Sequence, residues 1–125
     1  MNFDCVGAVL VFSDEPERLV AFYRDVIGIP LEEEKHGGAS PHWGCQIGTT
    51  HFAIHNSRLN RGRPGIGFSL MTRGLNEQLD RLAKHGVRTH APIDMGNGAR
   101  RSSIQDPDGN TVSLIQPSED WTRGG

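Results

Sequence analysis

A chain of 125 residues is sized for about one domain, and 13 Lys and Arg against 15 Asp and Glu leave a net charge of −2, which gives no basic footprint for nucleic acid. Its two cysteines, Cys5 and Cys45, are too few for a disulfide scaffold, and no apolar run approaches the ~18 residues of a membrane-spanning helix. The opening M-N-F-D-C-V has neither a basic nor a long apolar region, so a cytoplasmic protein that contacts neither membrane nor nucleic acid is expected.

The run Val6 to Phe12 is nearly all apolar and rich in β-branched residues, which predicts a first strand buried on both sides. Ser13 or Asp14 can cap a following helix, Pro16 suits its first turn, and Leu19, Phe22, Tyr23, Val26 and Ile27 recur at helical spacing until Gly28 stops it. Ile29 to Glu34 is extended, and its three successive glutamates suit an exposed edge. After a glycine loop at Gly37 and Gly38, two short strands are expected at His42 to Ile47 and His51 to His55, separated by a turn at Gly48 to Thr50.

Asn56 to Gly65 has loop composition with three arginines and is expected to link two halves. The order then begins again. Ile66 to Thr72 predicts a strand, Leu75 to His85 a helix ended by Gly86, Val87 to Ile93 an extended piece, and Met95 to Gly98 a turn. Arg100 to Gln105 pairs with Thr111 to Gln116 through Asp106, Pro107, Asp108 and Gly109, which are the residues a type I turn favours at successive positions. The polar tail from Pro117 to Gly125 is expected to fray.

Strand, helix, strand, strand, strand therefore occurs twice, as modules of about 5–56 and 65–117 in a single domain, joined by the loop 56–65. F-Y-R-D-V-I-G at Phe22 to Gly28, H-F-A-I-H at His51 to His55 and D-P-D-G-N-T-V-S-L-I-Q at Asp106 to Gln116 resemble the vicinal oxygen chelate superfamily. That superfamily includes glyoxalases, extradiol dioxygenases and bleomycin resistance proteins. The resemblance implies an α+β fold of two tandem βαβββ modules whose curved mixed sheets enclose a shared cavity. It also implies a homodimer.

Metalloenzymes of the superfamily take ligands from four strand positions, which fall here on Gly7, Ala53, Gly67 and Ser113. Two glycines and an alanine offer no side-chain donor, and a serine hydroxyl is a poor one. No metal and no cofactor are therefore expected at that centre. His51 and His55 stand ~13 Å apart on a strand, too far for one ion. They either line a pocket as hydrogen-bonding or acid/base groups, or are partly exposed surface residues. Trp43 can wall a planar ligand or fill core, and Cys45 suits a structural thiol. Strand alternation puts Arg100 and Arg101 on opposite faces, so one of them, Arg101, can reach a ligand. His51, His55, Trp43, Arg101 and Ser113 are thus the candidate ligand-binding residues. Two functions compete: a metal-independent protein that holds a small neutral or anionic organic molecule, and a glyoxalase-like lyase, isomerase or dioxygenase-type enzyme with a displaced metal site or with His51 or His55 as general base.

Overall fold

A computed structural model describes residues 6, 8–34, 41–56, 67–96 and 98–119, which fall into two units divided between Arg63 and Pro64. The first unit runs β1 (Ala8–Ser13), α1 (Pro16–Ala21), β2 (Glu32–Glu34), β3 (His42–Ile47) and β4 (Thr50–Asn56). The second repeats it as β5 (Gly67–Met71), α2 (Leu75–Lys84), β6 (Ile93–Gly96), β7 (Ala99–Gln105) and β8 (Thr111–Gln116). Each unit holds one four-stranded sheet, in the orders β1-β4-β3-β2 and β5-β8-β7-β6. In both, the first strand lies parallel to the last and the other pairings are antiparallel. This is the expected α+β fold of two βαβββ modules.

In the first unit α1 continues without a break into a π-helical turn, Phe22–Ile27, closed by hydrogen bonds from the Gly28 and Ile29 amides to the Tyr23 carbonyl at 3.0 and 2.8 Å. Gly28 takes φ 98°, a left-handed conformation in which a β-carbon would clash, and so ends the helix. The wider turn carries Phe22 and Tyr23 onto the sheet, where Tyr23 meets Phe52 edge to face at 5.3 Å. Val11, Phe52 and Ile54 are buried on the same side. Each such side chain contributes about 1.5–3 kcal/mol on leaving water, so the helix-facing side of this sheet is the core of the unit.

The opposite side of β1 is not core. Leu10 and Phe12 are 39% and 41% exposed, which corrects the expectation of a strand buried on both sides. A run of apolar residues cannot by itself separate burial against a helix from partial exposure on a second face.

In the second unit Leu75 and Leu82 of α2 are buried with Ile104, Val112 and Leu114. Gln116 holds the start of the helix, its side-chain oxygen accepting from the Leu75 amide at 3.2 Å and from Arg100 at 3.5 Å. Asp106 organises the turn between β7 and β8: its carboxylate accepts from the amides of Asp108 and Asn110 and from the Asn110 side chain, each at 2.9 Å. The extended piece expected at Val87 to Ile93 departs from expectation. Strand β6 spans Ile93–Gly96, and residues 87–92 run outside any strand. At the C-terminus Pro117 is buried and the Ser118 carbonyl accepts from Arg73 at 3.4 Å, so the tail is held further than its polarity suggested. Gly37, Gly38, Trp121 and most of the loop 56–65 lie outside the described residues.

Candidate functional site

Sheet register sorts the side chains of the first unit onto two faces. Ala8, Leu10 and Phe12 stand opposite His51, Ala53 and His55, while Gln46 and Gly44 stand opposite His51 and Ala53 from the other side. Since Glu34 pairs with His42, and neighbouring side chains alternate along a strand, all of these share the face turned away from the core. Phe12, His55, His42 and Glu34 form one row across all four strands. The Phe12 and His55 rings are 5.7 Å apart, and the His55 and His42 rings stack at 4.4 Å within 8° of parallel.

Glu34 ends that row and joins it to the next. Its Oε2 lies 3.2 Å from His42 Nε2 and its Oε1 lies 3.6 Å from His51 Nε2. The second contact crosses β3 diagonally, above Gly44. A β-carbon at Gly44 would stand 2.5 Å from Glu34 Oε1 and 2.8 Å from His51 Nε2, so the glycine leaves the room in which the two side chains meet. The histidine in the middle of the row is the most enclosed, with its side chain 10% exposed, and the carboxylate compensates the burial of its ring.

The cluster also biases its neighbours. Burial pushes the His55 imidazole below its ordinary value, and His42 and His51 add to this while Glu34 opposes it. His55 is thereby held neutral at pH 7, with one ring nitrogen a donor and the other an acceptor. Burial pushes the Cys45 thiol up and Glu34 raises it further, which suits an unreactive thiol.

Of the residues expected from sequence to bind a ligand, His51 and His55 are brought together here. Trp43 shares the alternation of Cys45 and stands on the other face of β3, half-buried, away from the histidines. Arg101 and Ser113 belong to the second unit, on the face of its sheet turned away from α2. Alternation does split the arginine pair: Arg100 reaches Asn76 and Gln116 on the helix side, and Arg101 is exposed on the other. The Ser113 hydroxyl lies 3.2 Å from that of its cross-strand neighbour Ser103. Glu34 and His42 were not singled out from sequence. Glu34 was expected on an exposed edge, and it is instead partly buried under two imidazoles. The signal that finds them is the alternation His42, Gly44, Gln46 combined with the pairing of β2 and β3.

Three of the four positions that the resemblance assigns to metal ligands are described, and their side chains do not fit a divalent ion. Ala53 presents a buried methyl group, Gly67 no side chain, and Ser113 a hydroxyl engaged with Ser103. Gly7 lies outside the described residues. Among the described residues no three His, Cys, Asp or Glu side chains converge so as to hold a metal ion.

Residues 6–114 match the Glyoxalase/Bleomycin resistance protein/Dioxygenase superfamily. The chain belongs to this superfamily. Solved structures show the fold at low identity. An antibiotic binding protein, TnmS3, from Streptomyces sp. CB03234 is 22% identical, with 94% of this chain and 99% of that one covered at a TM-score of 0.77. A glyoxalase/bleomycin resistance protein from the same organism is 20% identical over 90% and 100% of the two chains, with a TM-score of 0.74. Lactoylglutathione lyase from Agrobacterium tumefaciens is 17% identical over 93% and 96%, with a TM-score of 0.71. Comparison with curated proteins gave no significant match. Solved proteins with this fold thus include both a binding protein and an enzyme, and the fold does not choose between them.

Proposed function

We propose that this superfamily member binds a small organic molecule without a metal ion, on the sheet face of the first unit that carries Phe12, Glu34, His42, His51 and His55. The observation that carries the proposal is the chemistry of that face. Leu10 and Phe12 supply exposed apolar surface beside a carboxylate and three imidazoles, which is the combination of apolar wall and few convergent polar groups that holds small ligands. The donor-poor positions Ala53, Gly67 and Ser113 support the metal-free part, and the antibiotic binding relative supports the binding role.

A thermal-shift screen of neutral, aromatic and carboxylate compounds tests the proposal, alongside elemental analysis of protein purified without chelator. Binding that survives EDTA and is lost in His51→Ala is expected. A stoichiometric transition metal, or a screen with no hit, would overturn it.

A second reading is favoured by the contact between His51 and Glu34. A carboxylate beside an imidazole can orient the ring towards a bound molecule, as general-base catalysis requires. Under this reading the protein is a lyase or isomerase, and a compound found by the screen would be converted rather than released unchanged. The remaining parts of the proposal are a cytoplasmic homodimer and a single domain of two modules, about 5–56 and 65–117. Light scattering tests the dimer, and one cooperative unfolding transition is expected of the domain.

A further inference from the structure

The second unit contains a cavity of about 420 Å³ that the proposed site does not use. Its position follows from the short second strand of the unit, β6. Strand β6 pairs with β7 only from Ala99 to Arg101, so beyond Arg101 the outer edge of β7 has no strand beside it among the described residues. The segment 87–90 passes there instead, held where the Ser102 hydroxyl donates to the His90 carbonyl at 3.0 Å. Arg88 and His90 line the cavity from this segment, and Ser103, Gln105 and Thr111 line it from the sheet.

We propose that this cavity is a binding site for a small oxyanion, a carboxylate or a phosphate, with Arg88 as its principal charge. No carboxylate is among the described residues that line the cavity, so none of them neutralises the guanidinium. Arg88 is exposed and makes no ion pair among the described residues. Such a guanidinium presents two parallel N–H donors that match the spacing of two oxygens on one anion. The hydroxyls add to this. Ser103 and Ser113 share a single O–H···O bond, which uses one of their two protons and leaves the other to donate elsewhere. Gln105 contributes an amide and Thr111 a further hydroxyl, so the wall can meet an anion from several sides while its cation supplies the charge. The proposal rests on residues of the second unit alone and does not depend on the reading given to the Glu34 cluster.

Titration of isotope-labelled protein with inorganic phosphate, and separately with acetate, at constant ionic strength tests the proposal by amide chemical shifts. Saturable shifts at Arg88, Ser103, Gln105 and Thr111 are expected from at least one of the two anions, with affinity falling about tenfold or more in Arg88→Gln. Phosphate alone would assign the site to phosphorylated ligands, and acetate alone to carboxylates. Tetramethylammonium chloride should leave the same amides unmoved. Shifts that do not saturate with either anion, or an affinity unchanged in Arg88→Gln when circular dichroism shows that variant folded, would overturn the proposal.

Discussion

Gly44 lies so close beneath His51 that a β-carbon there would stand 2.8 Å from the imidazole Nε2. Only side-chain ends are in the way, Glu34 Oε1 and the His51 ring, and both can swing aside. Alanine at this position also lowers the entropy of the unfolded chain, by about 0.4–1 kcal/mol where the backbone tolerates it. Gly44→Ala is therefore expected to change stability by no more than about 1 kcal/mol, while the contact between Glu34 and His51 parts. Thermal unfolding with a ligand found by screening would show a nearly unchanged transition and an affinity lowered about tenfold.

Removing the carboxylate should cost more than moving it. Glu34→Gln leaves the enclosed His42 ring without its charged partner, and a loss of about 1–2 kcal/mol is expected. Urea denaturation at pH 7 measures it, and an unchanged midpoint would show that the row is held by ring stacking alone.

The depressed affinity of His55 for a proton gives stability a direction with pH. Above about pH 6.5 the ring is neutral in both the folded and the unfolded chain and imposes no penalty. As pH falls below that value the unfolded chain takes up its proton first, so stability declines until the folded ring is protonated too. His55→Gln is expected to be less sensitive than the parent chain to a shift from pH 7.5 to pH 5. Denaturant midpoints at the two pH values, compared between the chains, measure this.

Cys45 should react slowly. Burial and Glu34 both hold its thiol in the protonated form, and the thiolate is the nucleophile. With Cys5 replaced by serine, alkylation by iodoacetamide at pH 7 is expected to run slower than with free cysteine. Faster labelling would indicate an activated thiol instead of a structural one.

Asp106, a residue only 5% exposed, carries the turn of the second unit through three hydrogen bonds that its carboxylate accepts. Asp106→Ala leaves two buried amides and the Asn110 side chain to find other partners, and a loss of about 2–4 kcal/mol is expected. Chemical denaturation is the measurement, with Asp106→Asn as the milder companion because it keeps one acceptor.

That turn was the most legible part of the sequence, since D-P-D-G-N encodes its conformation within a few residues. Helix ends at Gly28 and Gly86 were legible for the same local reason. The candidate site was half legible. His51 and His55 could be assigned to one face from alternation along a single strand, but their partners depend on how β2, β3 and β4 align, which no local pattern specifies. The three glutamates show the difficulty. Glu32 and Glu33 are exposed as their charge suggests, and Glu34 differs only because His42 happens to be its register partner. The segment 87–93 failed for another reason: its composition permits a strand, yet the edge of β7 is partnered further along, by Ile93–Gly96.

Strand β4 ties these levels together. In H-F-A-I-H, Phe52 and Ile54 go to the core while His51 and His55 go to the opposite face, so five consecutive residues serve two purposes by turns. A slip of one residue in pairing would exchange them, placing imidazoles among the aromatic rings and apolar side chains among the carboxylate and histidines. The proposed recognition surface is thus inherited together with the register of the strand. Its chemistry can diversify through single substitutions at positions 51, 53 and 55, whereas an insertion or deletion within the strand would sacrifice the fold and that face at once.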